Sequence, residues 1–365
     1  MTEPVAWDLA ERVAVRVAGS EPLEESYLYA ALQPDFEDLT AEAERLVEAE
    51  TGMKSLAGPA RARVTNRAGW IHANIASFQR LLRPVTDRIS AAIDHPPSLG
   101  PLPVGVPLAR ISRNVAGTQV GLLLGWMSTR VLGQYDQLLI EEEQPEDQDM
   151  VYYVGSNILA LEKRFAFPPR EFRLWLALHE VTHRMQFTGI PWMRPHFLSL
   201  VESTLQGINP DPRHFLEALR RAADQVRQGQ NPLDDGGLLT LLAGPEQYEA
   251  IQQVGGLMSL LEGHGDVTMD RAGADQIPSA DRFNRVLRQR RQQRGPMKVV
   301  ASLIGLDAKL RQYEMGELFI ETVEAEAGRD VLARVWQGPE WLPSLTEIRQ
   351  PELWIERVQV AVPRS

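Results

Sequence analysis

The apolar positions of this chain recur mostly at helical spacing. Val120, Leu123, Leu124, Met127 and Val131 form one stripe that ends at Gly133, and Leu174, Leu178, Val181 and Met185 form another. Pro168 and Pro169 favour a helix start ahead of the second stripe, and Gly189 with Pro191 stops it. A further helical pattern runs from Glu246 through "LLEGHGDVTMD", Leu260 to Asp270. "VYYVGSNILALEKRFAF", Val151 to Phe167, is richer in β-branched and aromatic residues and predicts one or two strands, a place where an edge strand could bind extended substrate. "PPSLGPLPVGVP", Pro96 to Pro107, is too rich in proline for a helix and reads as a connection. "EEEQPEDQDM", Glu141 to Met150, predicts an acidic surface loop, and "NPLDDGG", Asn231 to Gly237, a turn. The expected fold class is mainly α with a small β component (α+β). The expected organisation is an N-terminal helical region over 1–95, a proline-rich connection over 96–109 and a larger region over 110–365, packed as one globular unit.

Composition narrows the chemistry. At 365 residues, 44% hydrophobic and 24% charged, the chain can bury a sizeable core and has the balance of a soluble globular protein. Its net charge of -11 argues against a general nucleic-acid partner. The basic run "RVLRQRRQQR", Arg285 to Arg294, reads first as a solvated helix face offsetting the many acids, and second as a phosphate or nucleic-acid contact. No membrane partner is expected: the apolar stretch "VGLLLGWM" is far short of the ~20 residues a span needs. Gly117, Gly121 and Gly125 beside it predict close packing of a soluble helix. The N-terminus lacks the order of a signal peptide, so a cytoplasmic location is expected. With no cysteine in the chain, any metal must be held by His, Asp or Glu.

Such a metal is suggested by "LALHEVTHRMQF", Leu176 to Phe187. On a helix, His179 and His183 stand one turn apart on one face and can bind one ion from the same side. Glu180 is offset by about a quarter-turn, so it reaches beside the ion as a general base would. A chance match to His-Glu-x-x-His in this composition is on the order of one in a hundred, so a third ligand is the supporting test. A close-following glycine and third histidine would need positions 186 and 189, which are Gln186 and Gly189. His196, in "PWMRPHF", could fold back. Glu262 is the better candidate, with Asp266 one turn on to accept the free ring N–H of a ligand histidine. His264 should point nearly the opposite way from these two on a regular helix. A carboxylate in an apolar run needs a partner, and a metal would be one.

"FRLWLALHEVTH", "PWMRPHF", "LLEGHGDVTMD" and "LRQYEMGELF" occur in this order in a zincin-like family of bacterial proteins, which the chain resembles from "WDLAERVA" to "PELWIERV". "NRAGWIHANIASF" and "GWMSTRVLGQYD" match as well. The family is described as zinc-dependent metallopeptidases or hydrolases, and some members are labelled as associated with biosynthesis of a deazaflavin coenzyme. The resemblance implies a zincin-like active-site helix in an otherwise unusual, mostly helical fold. It implies one Zn2+ per chain, with His179, His183 and Glu262 as ligands and Glu180 as catalytic base. The spacing of Glu262 and Asp266 is similar to that of the gluzincin group.

The expected activity is hydrolysis of a peptide or small amide by a metal-activated water. The alternative is a non-catalytic binding or coenzyme-metabolism partner protein that retains a structural metal. Tyr313, His196 and Arg194 are the candidate donors to the oxyanion, with His264 behind them. Two imidazoles and a carboxylate also suit iron, manganese or cobalt.

Overall fold

The computed structural model describes residues 4–94, 106–135, 149–206, 245–292 and 306–361. The proline-rich connection up to residue 105, the acidic loop up to residue 148 and the turn at 231–237 lie outside them. The protein is mainly α with one three-stranded sheet. Its backbone groups into two compact units, Met1–Arg45 with Gly58–Val181, and Leu46–Ala57 with Thr182–Ser365.

The first unit holds α1 (Trp7–Ala18), α2 (Tyr27–Ala30), most of α3 (Leu32–Thr51), β1 (Arg61–Thr65), α4 (Arg67–Asp94), α5 (Val106–Ser128), β2 (Gly133–Tyr135), β3 (Met150–Val154) and α6 (Gly155–Phe165). Helix α5 takes Pro107 into its first turn, where a missing N–H breaks no helical hydrogen bond. Its glycines do what their spacing predicts. A Cβ on Gly117, Gly121 or Gly125 would lie 2.5 Å from the backbone carbonyl oxygen of Ala6, Ala10 or Ala14, so α1 and α5 meet main chain to main chain. Trp7, Ala14, Trp70, Ile71 and Leu124 close the core around them. No helix among the described residues is long and apolar enough to cross a membrane.

The run from Val151 to Phe167, expected as one or two strands, is one strand followed by a helix. Met150–Val154 pairs on both sides, but from Gly155 the apolar residues Ile158, Leu159 and Leu161 turn to helical spacing and are buried as α6. Ala166 ends that helix in the left-handed conformation, at φ 48°. The strand order β1-β3-β2 puts β3 in the middle, parallel to β1 and antiparallel to β2. The edges of this sheet are therefore β1 and β2, not the strand expected there. Beyond its pairing with β3, β2 is held by Gln134, which accepts from the Trp70 indole N–H at 2.7 Å and donates to Asn74 at 3.2 Å.

Helix α7 (Pro169–Thr188) is continuous from the first unit into the second. The second unit continues with α8 (Met193–Gln206), α9 (Pro245–Ala272), α10 (Ala280–Gln292), α11 (Leu306–Ala327), α12 (Arg329–Leu332), α13 (Leu345–Arg349) and α14 (Pro351–Ala361). Its core is Leu260, Val267, Phe319, Ile320, Val323, Ile348, Trp354 and Val358. Helices α9 and α11 cross at glycines: a Cβ on Gly263 would strike the Gly316 backbone, and one on Gly316 the Ser259 carbonyl. On α10, Arg285 and Arg288 line a cleft with Asp270, Asp281 and Glu317, and Arg288 pairs with Glu317 at 3.1 Å. The described part of the basic run is thus offset by carboxylates, as a solvated face would be.

Arg271 on α9 donates to both oxygens of Glu324 on α11, at 3.0 and 2.5 Å. That guanidinium holds the Glu324 carboxyl below the usual carboxylate range, against the opposing effect of burial. A depressed folded pKa contributes stability that is complete above the unfolded value, about 4.3, and is lost as pH falls through the lower folded value. Glu324→Gln should therefore flatten the fall of the melting temperature between pH 5 and pH 3. Parallel melting curves for the two proteins would show that this pair adds nothing.

Candidate metal centre

Helix α7 runs between the bounds its prolines and glycine predict, with the Phe172 amide closing the first turn on Pro168 and the Gly189 amide the last on Met185. Leu174, Leu178, Val181 and Met185 are all buried. Near its start Arg173 forms two parallel bonds to Glu162, both 2.8 Å, and a further ion pair with Asp35. The helix is thus held by an apolar stripe and a two-oxygen clamp. His179 and His183 follow one turn apart.

Among the described residues, His179, His183 and Glu262 form a group whose ligand atoms all lie within 4.8 Å of one another. His183 Nε2 is 3.4 Å from Glu262 Oε2, and each of these two residues is only 7% exposed. A tetrahedral ion with bonds of 2.0–2.1 Å separates its ligands by about 3.3–3.4 Å, so this pair already has the spacing of two zinc ligands. The donor set of two imidazoles and a carboxylate fits zinc.

Glu262 owes its place to the glycine that follows it. Gly263 lets α9 touch α11 through the backbone, which fixes the helix next to the carboxylate. The close crossing explains the first glycine of "LLEGHGDVTMD" and the glycine of "LRQYEMGELF": Gly costs a helix about 1 kcal/mol against Ala, and contact of this closeness offsets it.

Glu180, 7% exposed, is aimed by the edge strand. Its Oε2 accepts the Tyr135 backbone N–H at 3.0 Å. A Cβ on Gly133 would lie 2.6 Å from both Cγ and Oε1 of Glu180, so only glycine leaves room for the side chain. Sequence reasoning had Gly133 as a helix stop and did not see this contact. No local signal marks it, because the neighbour is 47 positions along the chain.

The model of the zincin-like metallopeptidase family matches residues 5–355. The chain belongs to that family. The chain is also similar to a protein from Chloroflexus aurantiacus whose crystal structure is described as that of "a putative hydrolase with a novel fold". The two are 29% identical, with a TM-score of 0.70 over 97% of this chain and 99% of the other. No curated protein matches it.

The remaining candidate residues are dispersed. His196 lies on α8, half-buried and edge-on to Trp192 with ring centres 6.0 Å apart, and burial lowers its pKa. Arg194 sits on the same helix, and neither is among the three converging ligands. Asp266 is half-buried one turn beyond Glu262. Tyr313 lies on α11, its side chain outside the described residues. His264 meets Gln186 of α7, which lies between it and His183, a contact that spacing along α9 alone does not predict. Burial, then the nearby His183 and Arg271, push the His264 imidazole down to about 3, with Glu324 opposing. Gln186 is the residue that sequence reasoning passed over. Its only local signal is its position three residues after His183, on the same face.

Proposed function

We propose that the protein is a zinc-dependent hydrolase, a metallopeptidase or amidohydrolase of gluzincin type acting on a peptide or small amide. The observation that carries this reading is the convergence of His179, His183 and Glu262 next to a glutamate that its own edge strand holds in place. His179, His183 and Glu262 would hold the divalent ion, which when bound would supply a Lewis acid for a carbonyl oxygen and lower the pKa of a water towards ~7. Glu180 takes the proton from the attacking water and returns it to the leaving amine. The oxyanion donor is sought among Tyr313, His196 and Arg194, and Asp266 is the proposed support for a ligand imidazole. The cytoplasm is the proposed location.

Elemental mass spectrometry of the purified protein tests the metal. About one zinc per chain is expected, lost in both His183→Ala and Glu262→Ala, because two ligands alone hold zinc weakly. No uptake when zinc is offered to the unaltered protein would end the hydrolase reading.

A further inference from the structure

The Gln186 side chain has both amide hydrogens and its oxygen engaged around the candidate ligand His183. Its Nε2 is 2.9 Å from the Leu261 carbonyl oxygen and 3.0 Å from His264 Nδ1, while its Oε1 is 3.0 Å from His183 Nδ1. All four residues belong to the second unit.

These contacts decide where the hydrogens are. A backbone carbonyl can only accept, so the amide nitrogen must face Leu261 and the amide oxygen must face His183. An amide oxygen also only accepts, so the hydrogen of neutral His183 must sit on Nδ1. That leaves the lone pair on Nε2, the nitrogen 3.4 Å from Glu262 Oε2. The second amide hydrogen points at His264 Nδ1, which accepts it and so carries its own hydrogen on Nε2. Turned over, the amide would set oxygen against the Leu261 oxygen and NH2 against His183 Nδ1. His183 would then carry its hydrogen on Nε2, where the metal must bind.

We propose that Gln186 is a positioning residue that sets the tautomer of His183, so that Nε2 is ready for a metal before one arrives. Leu261 and His264 keep the amide from turning over. Ligand imidazoles are commonly oriented by a carboxylate or a backbone carbonyl; here a side-chain amide does this, itself oriented by a main-chain oxygen from the helix that supplies Glu262. The inference rests on the proposed function only in taking His183 as a ligand.

The first measurement uses metal-free, full-length protein labelled with 15N-histidine. Two-bond 15N–1H correlation spectra separate protonated from bare ring nitrogens, and His183→Ala and His264→Phe assign the two rings. The expected result is hydrogen on Nδ1 of His183 and on Nε2 of His264. Gln186→Leu should abolish the His183 preference and weaken zinc binding about 10–100-fold in chelator competition. His264→Phe should leave the His183 tautomer unchanged, since Leu261 still orients the amide. Hydrogen on His183 Nε2 in the unaltered metal-free protein would overturn the proposal, as would Gln186→Leu binding zinc within twofold of normal. If Gln186→Leu fails to fold, the spectrum of the unaltered protein decides alone. Failure of that protein to take up zinc would sink the hydrolase reading, while the tautomer would still be read.

Discussion

Gly133→Val should leave one zinc per chain and lower turnover about 10²–10⁴-fold, the usual contribution of a positioned general base. The added Cβ would lie 2.6 Å from Glu180 Cγ and Oε1, closer than real Cβ contacts, so something must move. The strand has little freedom, because Gly133 is paired with Tyr153 and Gln134 is held by Trp70 and Asn74. The flexible partner is the Glu180 carboxylate, which must leave the Tyr135 N–H. No metal ligand is touched. Glu180→Gln should cause a similar loss with zinc retained, and the double variant should be little worse than either single one, since both remove the same group. Turnover is to be read on a substrate drawn from a peptide and amide library, with zinc content measured on the same samples. Full turnover in Glu180→Gln would overturn Glu180 as the base, whereas no turnover by the unaltered, zinc-loaded protein across the library would leave a metal-holding binding protein as the surviving reading.

The second large effect is on folding. Gly316→Val should destabilise the protein by more than about 3 kcal/mol and lower its melting temperature by roughly 6–12 °C or more. The new Cβ would fall on the Ser259 carbonyl and lie 3.2 Å from the Gly263 Cα, both main chain and unable to rotate away. Relief requires α9 and α11 to separate, which opens the core at Leu260, Val267, Phe319 and Ile320. Because Glu262 travels with α9, zinc should be lost in the same variant. Calorimetry and metal analysis on one preparation check both. An unchanged melting curve would mean that the crossing tolerates a wider separation than these contacts allow.

Much of α7 was legible in the chain. Pro168, Pro169, Gly189 and Pro191 bound it, and one apolar stripe set which way it faces. Local rules of that kind placed His179, His183 and Glu180 correctly with respect to one another. Glu262 needed a different argument, that a carboxylate within an apolar run needs a partner. What stayed hidden was set by approach rather than by sequence spacing. Gln186 acquires its role from a carbonyl 75 positions away, and Gly133 from a side chain on another element. The segment after Val154 was misread for a third reason: short apolar runs fit a strand or a buried helix equally well, and tertiary packing chose the helix. The tie from His264 to His183 was hidden as well, because it runs through the Gln186 amide of another helix.

The ladder of Gly117, Gly121 and Gly125 against α1 has a consequence for how such a protein can drift. The obstacle at each rung is a main-chain oxygen, of Ala6, Ala10 or Ala14, which is there whatever residue occupies the position. Trimming Val13 or Val17 on α1 would relieve the side-chain part of the crowding at two rungs, yet the oxygens would remain. No second-site change on α1 can compensate for a larger residue on α5. Paired substitutions, the trace by which contacting helices are commonly recognised among diverged sequences, should therefore be missing from this contact, one of the tightest in the molecule.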